Sequence, residues 1–306
     1  MTQADEVALG RIAEGRRARN AVILAHSYQR PEVQDVADFV GDSLELSRTA
    51  ADADADVIVF CGVRFMAESA AILSPSRTVL LPVLEAGCPM ADMITAAQLR
   101  EEMGRHPDAV VVCYVNSDAE VKAESDICCT SANAVRVVES VPADREVLFV
   151  PDRNLGRYVE RRTGRRMILW PGHCATHSRL TADEVREARA VHPAAVVMVH
   201  PECELEVIDE ADMALSTSQM VRYVEAERPA EVIVGTEMGI IHRLKAASPE
   251  TAFHIPSSSL ICPTMKLTTL ESVARALDEN VHVIEVPSAV RERAVSSLEA
   301  MLAVPS

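Results

Sequence analysis

Three cysteines recur along the chain at nearly equal intervals, each delivered by an apolar run and a turn. Val79-Leu80-Leu81-Pro82 leads to Cys88, Met167-Ile168-Leu169-Trp170-Pro171-Gly172 to Cys174, and Phe253-His254-Ile255-Pro256 to Cys262. The intervals are 86 and 88 residues. Even spacing on this scale marks an internal repeat, and a repeat restricts the fold to several copies of one unit.

Other signals recur in phase. About sixty residues before each cysteine an apolar run ends in a polar residue: Val22–Ala25 at His26, Val110–Val115 at Asn116, Val196–Val199 at His200. Between tip and cysteine stand a hydroxyl cluster (Gly41-Asp42-Ser43, Thr130-Ser131, Ser216-Thr217-Ser218) and a second apolar run ending in a turn (Val57–Gly62, Val147–Asp152, Val232–Glu237). The continuous apolar runs suit parallel strands covered on both faces. Strands alternating with helical stretches predict parallel αβα layers. The expected fold class is therefore α/β, three pseudo-symmetric three-layer units around a central cavity. Residues 1–99 form the first unit, 100–186 the second and 187–280 the third. A last strand over 281–286 and a helix over 288–302 are expected to return to the first unit, so that 281–306 joins it.

Composition narrows the function. The 306 residues are 48% hydrophobic and only 3% aromatic, so the cores must be aliphatic. A net charge of −16 argues against nucleic acid or an anionic membrane as partner. No apolar run has the length of a membrane span, and the amino-terminal residues lack a signal peptide's pattern, so a cytoplasmic protein is expected. Eight cysteines in such a chain read as thiols or metal ligands, and none are paired at Cys-x-x-Cys spacing.

In open parallel sheets, ligands bind beyond the carboxyl ends of the strands. The strand tips, hydroxyl clusters and cysteines all fall at those ends. Three units facing one another would bring Cys88, Cys174 and Cys262 to one place. Three convergent thiolates suit a [4Fe-4S] cluster that keeps one iron open to act as a Lewis acid. Cys61, Cys113, Cys128, Cys129 and Cys203 then read as buried structural thiols. A zinc site on Cys174 and His177 is set aside, because no further ligand is evident nearby in the sequence.

The motifs also carry a resemblance. Ala25-His26-Ser27-Tyr28-Gln29, Gly41-Asp42-Ser43-Leu44, Phe65-Met66-Ala67-Glu68, Tyr114-Val115-Asn116, Cys129-Thr130-Ser131-Ala132-Asn133, Trp170-x-Gly172-x-Cys174, His200-Pro201-Glu202-Cys203, Gly235-Thr236-Glu237 and Met265-Lys266 resemble the quinolinate synthase family over residues 21–275. The resemblance implies the triangular three-unit fold and condensation of iminoaspartate with dihydroxyacetone phosphate to quinolinate. Phosphate and two waters are lost, in NAD biosynthesis, on an oxygen-sensitive [4Fe-4S] cluster held by three cysteines. L-aspartate oxidase would supply the iminoaspartate. Some members carry a Cys-x-x-Cys-x-x-Cys run at the third ligand. Here Cys262-Pro263-Thr264-Met265 has one cysteine, which removes local disulfide control.

Carried across residue by residue, the resemblance makes Cys88, Cys174 and Cys262 the cluster ligands. His26, Ser43, Asn116, Ser131, His200, Ser216 and Thr217 become substrate donors, the hydroxyls doubling as helix caps. Tyr28, Tyr114, Glu202 and His200 become the acid/base set, with Tyr114 and Glu202 also touching substrate. Glu68 and Glu237 read as structural. Two other classes compete. One is a three-cysteine [4Fe-4S] reductase of the isoprenoid-diphosphate type, whose motifs are missing. The other is a non-enzymatic iron–sulfur sensor, which would need a partner-binding region that the chain does not offer.

Overall fold

The computed structural model describes residues 2–304. It contains twelve strands: β1 (Ala21–His26), β2 (Phe39–Gly41), β3 (Val57–Cys61), β4 (Thr78–Leu80), β5 (Val110–Tyr114), β6 (Ile127–Cys129), β7 (Val147–Val150), β8 (Ile168–Leu169), β9 (Val196–Val199), β10 (Met213–Ala214), β11 (Glu231–Gly235) and β12 (Ala252–His254). They form three four-stranded parallel sheets of identical order, β2-β1-β3-β4, β6-β5-β7-β8 and β10-β9-β11-β12. The fold is thus α/β in three like units, as the repeat implies. The central strands are buried along nearly their whole length beneath helices on both faces, which is why they read as unbroken apolar runs.

The repeat is physical as well as sequential. In each sheet an aspartate just before the second strand clamps the first. Asp38, Asp126 and Asp212 accept the N–H of Ile23, Val111 and Val197 at 2.8, 2.7 and 2.8 Å. Each donates its own N–H back to the same residue's carbonyl. After β2 and β10 a capping box opens the next helix, Asp42 with Glu45 and Ser216 with Gln219, and Thr130 with Asn133 makes the matching turn after β6. Each cysteine stands three residues before a 3₁₀ turn (Ala91–Met93, His177–Arg179, Met265–Leu267) and seven before a threonine N-cap, Thr95, Thr181 or Thr269. A short turn and a fixed cap on its far side pin each thiol.

The ring closes on itself. The helix after the third cysteine, Leu270–Glu279, covers the first sheet, where Val273, Ala274 and Leu277 join Ile23, Val57 and Val59 in one buried cluster. The amino-terminal helix Gln3–Ala18 lies against it. The tail differs in detail from expectation. Residues 281–286 make only a bridge, Leu80 to Val283, beside the first sheet and not a strand. The helix Ser288–Ala303 lies mainly on β6 and the helix Ala119–Ala123 of the second unit, and also touches Arg64–Leu73 of the first. Its Ser297 hydroxyl donates to Lys122 O at 2.9 Å. The Pro287 that precedes the tail helix and the left-handed backbone of His282, at φ 60°, leave little strand-forming run there.

Candidate active site

The three aspartate clamps fix which positions correspond. Counting three residues on from Ile23, Val111 and Val197 gives His26, Tyr114 and His200. Tyr114, not Asn116, therefore occupies the strand tip of the second unit. The expected tip at Asn116 is corrected by two residues, and Asn116 instead matches Tyr28 and Glu202. All six line one central cavity together with Ser43, Ser131, Thr217, Thr176, His177, Thr264, Cys88, Cys174 and Cys262. Every unit contributes through its strand ends, as parallel sheets require.

The histidines are held in one tautomer. Nδ1 of His26 accepts the N–H of Tyr28 at 3.1 Å, and Nδ1 of His200 accepts that of Glu202 at 3.3 Å. Each ring must then carry its proton on Nε2 and donate from there; for His200 the partner is Ser131 Oγ at 3.2 Å. Burial lowers the pKa of His26 to about 4 and of His200 to about 3, so both are neutral donors at physiological pH.

Glu202 is the hub. Its Oε2 lies 2.6 Å from His177 Nδ1, and its Oε1 is buried without a partner. Burial would raise this carboxyl, but His177, bonded to it, outweighs burial and holds it below the ordinary range, ionised at neutral pH. A single directed chain of hydrogen bonds leads there. Thr217 Oγ1 donates to the Tyr28 hydroxyl at 3.0 Å, Tyr28 to Thr236 Oγ1 at 2.7 Å, Thr236 to His177 Nε2 at 2.7 Å, and His177 Nδ1 to Glu202. Burial above all, and for Tyr114 also the Glu202 charge, raises both phenols well above 10, so Tyr28 and Tyr114 keep their protons. His177, which the sequence suggests only as a zinc ligand, and Thr236, which stands there only within a motif, are the links between Tyr28 and Glu202. The signal available was their phase: His177 stands three residues after Cys174, at the start of the repeated 3₁₀ turn.

The side-chain donors that line the cavity are neutral. No Arg or Lys lines the cavity among the described residues. Ser43 and Thr217 sit at the first turns of the helices Ser43–Asp52 and Thr217–Glu227; at the first of these Asp42 Oδ1 already accepts the N–H groups of Leu44 and Glu45 at 3.0 Å. Ser216 does not reach the cavity; it is fully buried as the N-cap, bonded to Gln219. Glu68 is spent on the Ala119 N–H at 3.0 Å. Glu237 lines the cavity edge but is engaged structurally, accepting the Cys262 N–H at 3.1 Å and pairing with Lys266 at 2.9 Å.

Each cysteine is half-buried at the cavity wall, while the other five are buried elsewhere in the cores. Burial pushes the Cys88 thiol up to about 12, and the neighbouring Cys262 charge adds to it. Groups of three donor atoms that lie within 4.8 Å of one another occur among the described residues at Cys174–His177–Glu202 and at His192–Glu231–His254, but not at the three cysteines. The cysteine sulfurs are thus too dispersed to grip a single ion together. Glu202 does supply a third donor beside Cys174 and His177, which the sequence did not show. Cys174, however, has two equivalents in the other units that line the same cavity.

Comparison with known proteins agrees with this geometry. Residues 10–303 match the family model described as Quinolinate synthetase A protein. A quinolinate synthase of Desulforudis audaxviator is 56% identical over 99% of this chain and 100% of its own length. One from Methanosarcina barkeri is 54% identical over 96% of each chain, and one from Geobacter metallireducens 53% identical over 94% of this chain and 95% of its own.

Proposed function

Because the chain belongs to the quinolinate synthetase A family, we propose that it is a quinolinate synthase of NAD biosynthesis that condenses iminoaspartate with dihydroxyacetone phosphate. The observation that carries this reading is the convergence of three equivalent cysteines and the Glu202 network on one cavity. Cys88, Cys174 and Cys262 would hold a [4Fe-4S] cluster, which would supply Lewis acidity toward the substrate when bound.

The chain's own residues do the rest. Ser43, Ser131, Thr217 and the Nε2–H groups of His26 and His200 offer neutral donors for the phosphate and carboxylates, and Asn116 orients the acyclic substrate. Neutral donors let anions enter a cavity without a permanent counter-charge and release phosphate afterwards. Glu202, ionised and with Oε1 free, accepts a proton from the substrate carbon or nitrogen. Tyr114, protonated and facing the same carboxylate, returns one to a departing hydroxyl. Tyr28 orders the chain that keeps His177 donating to Glu202 and so keeps the base ionised. Depth in the cavity excludes bulk water from the imine. L-aspartate oxidase would supply iminoaspartate as a neighbouring enzyme in the same pathway.

Replacing Cys174 with Ala tests the assignment. Anaerobically purified variant is expected to lose both bound iron and turnover. A variant that keeps full turnover with no iron would refute the cluster's role.

A further inference from the structure

Each unit repeats one contact beneath its cysteine loop. The N–H groups of Arg64, Arg153 and Met238 donate to the carbonyls of Ala86, Gly172 and Leu260 at 2.8, 2.8 and 2.9 Å, and each of those carbonyls stands two residues before a cysteine. The strand registers make the residues just ahead of these donors equivalent. Val59, Leu148 and Ile233 pair with Ile23, Val111 and Val197, and four residues further on stand Val63, Asp152 and Glu237. The three side chains differ in reach. Val63 is apolar and buried. Asp152 turns back on its own helix, where Oδ1 accepts the N–H groups of Asn154 and Leu155 at 2.8 and 3.3 Å. Glu237 is one methylene longer and crosses to the cysteine loop. Its Oε1 accepts the Cys262 N–H at 3.1 Å and its Oε2 the Gly239 N–H at 2.7 Å. Among the described residues, Cys262 is the one cavity cysteine whose N–H is bonded by a side chain.

Lys266 closes the knot. Its Nζ lies 2.9 Å from Glu237 Oε1 and 3.0 Å from Oε2, and it also donates to the Tyr28 carbonyl of the first unit. The Glu237 side chain is wholly buried, and its charge would be costly there without this partner. Nothing larger than a hydrogen fits at Gly239, where a Cβ would lie 2.6 Å from Lys266 Nζ, 2.6 Å from the Tyr28 oxygen and 2.8 Å from Glu237 Oε2. A tightly packed ion pair therefore joins the Cys262 backbone to the Tyr28 backbone across the boundary between the third and first units. We propose that Glu237 is a positioning residue that, through the Cys262 N–H and Lys266, fixes the third cysteine relative to Tyr28. The proposal rests on the reading of Cys262 as a cluster ligand, since hydrogen bonds behind a ligand orient it toward the group it holds.

Alkylation of the iron-free, full-length chain by iodoacetamide, read at each cysteine by peptide mass, tests this. Glu237→Asp installs the residue of the second unit, which keeps the charge and loses the reach. Cys262 is expected to react at least tenfold faster than in the wild type, with Cys88 and Cys174 unchanged. After anaerobic reconstitution with iron and sulfide and reduction with dithionite, the electron paramagnetic resonance signal of the variant is expected to shift. Should Glu237→Asp not fold, Gly239→Ala decides by the same readouts, because it leaves every bonding group in place and forces the knot apart. An unchanged rate at Cys262, or equal acceleration at all three cysteines, would overturn the proposal, as would a resonance identical to that of the wild type. A wild-type protein that takes up no cluster or makes no quinolinate would contradict the enzymatic reading, and the alkylation alone would then decide whether Glu237 sets Cys262.

Discussion

At the level of single residues, protonation is set by burial and by which atoms are already bonded. Glu202 stays charged in a buried cavity because His177 donates to one oxygen, leaving the other free. Glu202→Gln keeps the shape and removes the base, so turnover should fall about 10²–10⁴-fold while iron content is unchanged. Full activity, measured as quinolinate formed per iron, would contradict the role. His26 and His200 give a pH dependence. In the folded chain they stay neutral down to about pH 4 and about pH 3, whereas in the unfolded chain they protonate near 6.5. The unfolded state thus binds more protons below pH 6.5. Stability from these two groups is full above 6.5 and falls as pH drops, by up to about 1.4 kcal/mol per unit for each. His26→Gln should remove about half of that slope between pH 6.5 and 5 in urea midpoints, and an unaltered slope would refute the assignment.

At the level of elements, the chain reads differently in strands and in turns. The strands were legible because each central one is buried on both faces, and their apolar runs are unbroken. The cysteine positions were legible because equal spacing survives where identity does not. The strand tip of the second unit was misread because Tyr114 behaves as a strand former with a polar end, so the next polar residue, Asn116, looked like the tip. The tail was misread because Val281–Val286 alternates like a strand yet meets the first sheet only at Leu80. In the sequence His177 reads only as a zinc ligand, and Thr236 stands inside Gly235-Thr236-Glu237 without a role; only the three-dimensional structure shows their contacts with Tyr28 and Glu202. The turn that carries Cys174 is tight. A Cβ on Gly172 would lie 2.4 Å from the Pro151 carbonyl oxygen, and the Gly172 carbonyl accepts the Arg153 N–H at 2.8 Å. Gly172→Ala should therefore cost about 1–3 kcal/mol and displace Cys174, lowering iron content per chain while the circular dichroism of the sheets is kept. Wild-type iron loading in that variant would show that the turn does not set the cysteine.

Across the whole molecule, the three units are stitched together at the cysteine loops. Trp170 Nε1 donates to Met93 O at 2.9 Å, joining the Cys174 loop to the turn after Cys88. Lys266, in the turn after Cys262, bonds the Tyr28 carbonyl, and Arg30 Nε donates to Lys266 O at 2.8 Å. Each loop that presents a thiol thus also carries an interface, so the cavity exists only when all three units are assembled. A group bound by all three cysteines should stabilise the whole chain through mass action, because it binds the folded state alone. The most direct measurement is an anaerobic assay. Protein reconstituted with iron and sulfide is given dihydroxyacetone phosphate and freshly generated iminoaspartate, and quinolinate is detected by mass. Quinolinate that forms under these conditions and is lost after brief exposure to air, together with the iron, is the expected result. A fully iron-loaded protein that forms none would contradict the account.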